Sequence, residues 1–206
     1  MRAHLSLLGL LAMAAFSWPV LAEDAETEKA VESPSPDGRF AFLATHRPEQ
    51  RTFDLIEKDS GKVLLRVAES DEGSDELTVN VLWAADSSRF AATEAFHNRR
   101  MNDIAVYLRE GTTFRAIELP DLPEATLPDE LGSDRDHFWH VNVMDWKTPQ
   151  RWRKDGSLVV EMETTLDGND NFATATRTVV LGFDRTGTAK VLKSTQKVTS
   201  HIEPGD

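Results

Sequence analysis

Apolar and polar residues alternate along much of this chain with a period of two. Thr78 to Trp83 sets Val79, Val81 and Trp83 against Thr78 and Asn80, and Asp103 to Glu110 places Ile104, Val106 and Leu108 on one face. Ser157 to Thr165 sets Leu158, Val160 and Met162 against Glu161 and Glu163, and Thr52 to Lys58 sets Phe53 and Leu55 against Asp54 and Lys58. Successive side chains of a strand point to opposite faces, so this pattern predicts half-buried strands. Arg39 to Thr45 is a mostly apolar run suited to a strand covered on both faces. Further strands are predicted at Val63 to Ala68, Arg89 to Phe96, Thr113 to Leu119, His140 to Trp146, Phe172 to Phe183 and Thr188 to Val198. Beyond the first two dozen or so residues, no stretch sustains a 3.6-residue apolar period; one short helical turn is expected around Pro128 to Leu131. The fold class is all-β, an antiparallel meander of about eleven strands.

One turn device recurs between these strands. It reads Pro34-Ser35-Pro36-Asp37-Gly38-Arg39-Phe40, then Trp83-Ala84-Ala85-Asp86-Ser87-Ser88-Arg89-Phe90, then Trp152-Arg153-Lys154-Asp155-Gly156-Ser157-Leu158. Each copy has Trp or Pro, two residues, Asp, a small turn residue and an apolar strand. Asp followed by Gly or Ser tolerates turn backbone angles and bonds the local backbone. The aspartates are 86 − 37 = 49 and 155 − 86 = 69 residues apart. Removing an insertion of about twenty residues brings the second spacing near the first, and a four-stranded unit of roughly 40–50 residues is the period of a propeller blade.

At these residues the chain resembles the WD40-like, or TolB-type, β-propeller repeat, which reads Ser-Pro-Asp-Gly-Arg/Lys before an apolar strand. Ser35-Pro36-Asp37-Gly38-Arg39-Phe40-Ala41-Phe42 matches it, and Asp54 to Gly61, ahead of Lys62, fits its later part. Trp83 to Ala91 matches with Ala-Asp for Pro-Asp, and Arg153 to Leu158 matches at the turn and strand. The resemblance spans most of residues 33–194. It implies a scaffold that binds partners and carries no catalytic residues to transfer. Closed propellers typically have about four to eight blades, and three units are legible here. An open stack of three sheets, a divergent four-bladed ring and a β-sandwich of the same hairpins all remain open. The predicted organisation is a signal peptide over 1–22, an acidic flexible lead-in over 23–32 and one β domain over 33–198. That domain comprises repeats 33–70, 77–119 and 139–198 with an acidic insertion at 120–138, and residues 199–206 form a frayed tail.

The leader reading rests on Arg2, the apolar run from Leu5 to Trp18, and small or aliphatic Val20-Leu21-Ala22 at the cleavage positions. The run is too short, and too closely followed by Glu23 and Asp24, for a membrane span, so no transmembrane anchor is expected after cleavage. Cleavage would leave 206 − 22 = 184 residues, enough for one domain with a core. The chain has no cysteine, so zinc–thiolate sites and cysteine nucleophiles are excluded. With an export signal this predicts a bacterial periplasmic or secreted protein without disulfides. Without Arg2, 22 bases stand against 35 acids, a net of −13. Glu23 to Glu32, Glu69 to Glu76 and Pro120 to Asp136 contribute −4, −5 and −5, which sum to −14. The acidity is therefore concentrated in a lead-in and two loops, read as solvated segments. Nucleic acid, which needs a basic footprint, is excluded as a partner.

Few residue groups point to chemistry. Asp134, Asp136, His137 and His140 hold ligand types for a divalent metal, although strand residues three apart face opposite ways and converge only through a bend. Asp167, Asn169, Asp170 and Asn171 offer oxygens but lack the spacing of an EF-hand, and a hairpin turn explains them. Ser194 and Lys197 fit Ser-x-x-Lys without its companion motifs. Trp146, Lys147, Arg151, Trp152 and Arg153 form the basic, aromatic-laced stretch, suited to an anionic glycan or headgroup or else to inter-sheet packing. His97, Arg99 and Arg100 sit at a predicted hairpin tip, a candidate contact loop. No cofactor motif is present. The expected function is a non-enzymatic exported scaffold that binds a protein or an anionic envelope polymer, with self-association as one way to complete a ring. The competing reading is a metal-assisted hydrolase built on Asp134, Asp136, His137 and His140.

Overall fold

The computed structural model describes residues 27–47, 49–71, 77–96, 102–134, 138, 146–168, 170–184 and 186–202. Their strands form three four-stranded sheets, each an antiparallel meander in chain order. The first holds β1 (Glu28–Glu32), β2 (Phe40–Arg47), β3 (Gln50–Glu57) and β4 (Lys62–Asp71). The second holds β5 (Leu77–Trp83), β6 (Arg89–Phe96), β7 (Asp103–Glu110) and β8 (Thr113–Ile117). The third holds β9 (Trp146–Trp152), β10 (Leu158–Gly168), β11 (Asn171–Phe183) and β12 (Ala189–His201). The chain is all-β with propeller-like blades. The one described helix, α1 (Asp129–Ser133), starts after Pro128 where a helical turn was expected.

The period of two explains why the sheets stack. In β6, Phe90 and Ala92 join a core with the first sheet, while Ala91 joins a core with the third. In β7, Ala105 and Tyr107 face the first sheet, and Ile104, Val106 and Leu108 face the third. The middle sheet is thus buried on both faces. The first interface is aromatic. Phe40, Phe42, Phe53, Trp83, Phe90, Tyr107 and Phe114 interlock, with Phe90 and Tyr107 rings stacked at 4.6 Å and Phe42 edge-on to Phe90 at 5.2 Å. Such pairs add about 0.5–1.5 kcal/mol each beyond area burial. The second interface is aliphatic, built on Leu158, Val160, Met162, Val179 and Leu181. No buried cluster among the described residues joins the first sheet to the third, so the described stack is open.

The far face of the first sheet differs from the packed one. Phe53 and Leu55 point to the second sheet, and Asp54 between them points away, 5 % exposed and held by Arg66 Nε at 2.9 Å. The acidic insertion is anchored to the third sheet. Leu119, Leu122, Ala125 and Leu127 pack on the aliphatic core, and Phe138 is buried against Leu166 and Ala173. The Gln196 amide bonds Thr126 both ways, accepting from its N–H at 3.1 Å and donating to its carbonyl at 2.9 Å.

Three boundaries differ from the expected ones, for one physical reason. Glu28–Glu32 lies inside the acidic lead-in yet forms β1, exposed at every residue and paired with β2. The stretch expected as a basic patch is strand β9, its Pro149 opposite Val160 at a bulge on the sheet edge. Edge strands and bulges are where proline is tolerated, because its missing N–H is not needed. β12 runs on to His201, so residues 199–201 belong to the sheet rather than to a frayed tail. β1, β9 and the last residues of β12 are strand because a patterned neighbour offers a hydrogen-bonding edge, not because their own side chains alternate. The expected strand His140 to Trp146 lies, except for Trp146, outside the described residues.

Candidate functional site

The two ends of the stack carry different chemistry. At one end lie the three aspartate turns, and they are equivalent corners: each joins the first and second strands of its sheet. Asp37, Asp86 and Asp155 accept the N–H two residues on, from Arg39, Ser88 and Ser157, at 3.1, 3.0 and 3.0 Å. The residue between has a positive φ in each case: Gly38 at 71°, Ser87 at 55° and Gly156 at 79°. Asp184 likewise accepts the Thr186 N–H, at 2.8 Å. These bonds favour the ionised carboxylate. The Ser88 hydroxyl holds Asp86 below its ordinary value, the Ser157 hydroxyl does so for Asp155, and the Thr186 hydroxyl for Asp184. At Asp37 burial pushes upward, but the hydrogen bonds from Ser35, Arg39 and Ser87 and the charge of Arg109 together outweigh it.

The corners also staple the sheets together. The Trp83 indole donates to the Ser33 carbonyl at 2.9 Å, and the Trp152 indole to the Leu82 carbonyl at 3.0 Å. Ser33 and Leu82 each directly precede the Trp-or-Pro position of their own repeat, so the two staples are the same contact made twice. The Asp37 N–H donates to Ser87 Oγ at 3.0 Å, and Arg89 Nη1 to the Gly156 carbonyl at 3.3 Å. Arg89 also lies over Trp152 and Phe183, at 5.5 and 5.7 Å from their ring centres. Pro34 occupies the staple position of the first repeat and has no indole to reach back with.

At the opposite end a cleft of about 440 Å³ opens between the second and third sheets, a volume in the usual ~300–1,000 Å³ range of small-ligand sites. Ile104, Leu119, Leu122, Ala125 and Met162 give it an apolar floor, and half-buried Trp146 lines its edge. Asp103, Asp121 and Glu124 rim it, while Glu163 touches its edge with its carboxylate turned to the other face of the third sheet, where it accepts from Thr165. Lys147 is the cation lining it among the described residues, and its Nζ lies 2.5 Å from Asp103 Oδ1. Asn102 builds the hinge of the cleft. Its Oδ1 accepts the Lys147 N–H at 2.6 Å and its Nδ2 donates to the Lys147 carbonyl at 3.1 Å, so one side chain takes the place of a missing ladder pair between the sheets.

The structure separates the residues of the basic stretch. Trp146 and Lys147 belong to the cleft, while Trp152 is a staple in the aliphatic core at the corner end. Arg151 and Arg153 are exposed near that corner. Asp134 is half-buried just after α1. Asp136, His137, His140, His97, Arg99 and Arg100 lie outside the described residues. Among the described residues no three His, Cys, Asp or Glu side chains gather as a metal site. No protein-family model and no curated protein sequence matches the chain. A crystal structure of a protein from Lactobacillus plantarum is similar over 80 % of this chain at 13 % identity and a TM-score of 0.33, and this chain spans 40 % of its length.

Sequence reasoning missed Asn102 and the carboxylate rim. Asn102 stood in a connection read only as polar, and its partner Lys147 is 45 residues away. Asp121 and Glu124 were read as part of a solvated loop. The signal that was available is the alternation in β10, which puts Met162 on the face of Leu158 and Val160; Lys147 pairs with Met162.

Proposed function

We propose that the chain is an exported, non-enzymatic scaffold that binds a segment of a partner protein in the cleft between its second and third sheets. The observation that carries this reading is the cleft itself: an aliphatic floor under a rim of three carboxylates, with Trp146 at its edge and its lysine engaged by Asp103. Of the two partner classes expected, that rim favours a protein segment bearing cationic side chains over an anionic polymer, because like charges at an unpaired rim repel. An indole face adds attraction for a cation, about 0.5–1 kcal/mol at an exposed site.

Octalysine, titrated into the purified protein and followed by tryptophan fluorescence, tests this. Saturable binding is expected, weakened by salt and by Asp121→Asn, Glu124→Gln and Trp146→Ala. Absence of saturable binding, or binding indifferent to all three substitutions, would overturn the reading.

A further inference from the structure

The strand β12 is the free edge of the third sheet: it pairs with β11 on one side and with no described strand on the other. It is 13 residues long and exposed from Lys190 to His201. Long, exposed edges are templates for strand addition, and proteins guard them with lysines and bulges. β12 has both, and the bulge has an effect that the spacing hides. Lys190, Lys193 and Lys197 are three and four residues apart, so a regular strand would put Lys190 on the face opposite the other two. The register shift leaves Leu192 unpaired, with Lys193 opposite Val180, Val191 opposite Leu181 and Lys190 opposite Gly182. Lys197 lies opposite Thr176. Residues directly opposite share a face, and the even-numbered residues of β11 point away from the core that holds Ala175, Val179 and Leu181. All three lysines therefore line the outer face. The inner face of the same edge is mixed: Val191 and Val198, each 36 % exposed, lie beside the aliphatic core, and Ser194 and Gln196 between them bond Arg177.

We propose that β12 accepts an added strand, and that the occupant is an extended acidic segment of another protein, alternating acidic with apolar residues. Backbone pairing would supply the affinity and the two faces the specificity, as in strand-addition recognition. Acidic side chains on the outer face would oppose the lysine row, and apolar ones on the inner face would extend the core over Val191 and Val198. β12 itself holds three lysines and no acid, in a chain of net charge −12. Pairing of β12 with the β12 of a second copy would set lysine against lysine, which disfavours that occupant.

The test uses the purified protein, ¹⁵N-labelled, and a soluble ten-residue peptide alternating Glu with Val and Thr. The expected result is slowed amide exchange and shift changes confined to β12. Lys190→Glu, Lys193→Glu and Lys197→Glu together should weaken binding by on the order of tenfold or more, because like charges set opposite across strands are destabilising, and the same variant should bind a lysine-alternating peptide instead. Circular dichroism checks that it folds, and Lys193→Glu alone should show the same direction with a smaller effect. Three results would overturn the proposal. They are no binding of the acidic peptide, changes located away from β12, and a triple Lys→Ala variant that self-associates while the wild type ignores the peptide. The last would make the lysines edge guards only. Octalysine binding at the cleft is read separately, so either site can fail alone.

Discussion

Replacing Trp83 by Phe keeps a ring in the aromatic core and removes the staple to Ser33. The lost hydrogen bond, 2.9 Å long and partly buried, is worth about 0.5–1.5 kcal/mol net. The smaller ring gives up packing equivalent to one or two methylene groups, at about 0.8 kcal/mol each, discounted because Trp83 is only partly buried. The sum is a loss of about 2 kcal/mol. For a chain of this size that lowers Tm by roughly 4–8 °C. Urea unfolding followed by far-UV circular dichroism reads it as a lower midpoint at unchanged slope, as expected if stability changes and the unfolded state does not. Trp152→Phe removes the equivalent bond to Leu82 and should cost a similar amount. Trp146→Phe is the internal control: it lines the cleft, makes no staple, and should cost under about 0.5 kcal/mol, as surface changes do. If the Trp83 and Trp152 variants were no less stable than the Trp146 variant, the stapled stack would be refuted.

Two further outcomes follow from the same geometry. Asn102→Ala leaves the Lys147 N–H and carbonyl without their partner and should cost about 1–3 kcal/mol, with hydrogen exchange accelerated at the start of β9 and not at its Trp152 end. The corner aspartates give stability a defined sign with pH. Their folded values lie below the ordinary one, so their contribution is complete above the unfolded value near about 4 and is lost as pH falls through the folded values. Urea midpoints should therefore be flat above about pH 5 and fall below about pH 4, and Asp155→Asn should make that acid limb shallower; a limb unchanged in Asp155→Asn would remove that corner from the explanation.

The corners were legible in the chain because their cause is local. Asp37, Asp86 and Asp155 act on backbone within two residues, and the positive φ that follows each is met by Gly38, Ser87 and Gly156. The faces of the middle sheet were legible too, since Ile104, Val106 and Leu108 alternate with residues that face the other neighbour. What was hidden depends on pairing across long separations. β1 reads as a run of charges and residues 199–201 as the start of a frayed tail, and each becomes strand only through its partner. The cleft gathers Asn102, Asp121, Glu124, Lys147 and Met162 from four separate stretches of chain, so no motif marks it. Pro34 shows the reverse case: its place in the repeat was visible, but its meaning, a first sheet without a backward staple, needed the Trp83 and Trp152 bonds to be seen.

The most direct test of the stacked architecture is the solvent exchange of the indole N–H protons, assigned by the peak that disappears in each Trp→Phe variant. The Trp83 and Trp152 protons, bonded to carbonyls of the preceding sheet, should exchange slowly, and the Trp146 proton quickly. Rapid exchange of all three would contradict the stacking of three equivalent sheets through one repeated contact.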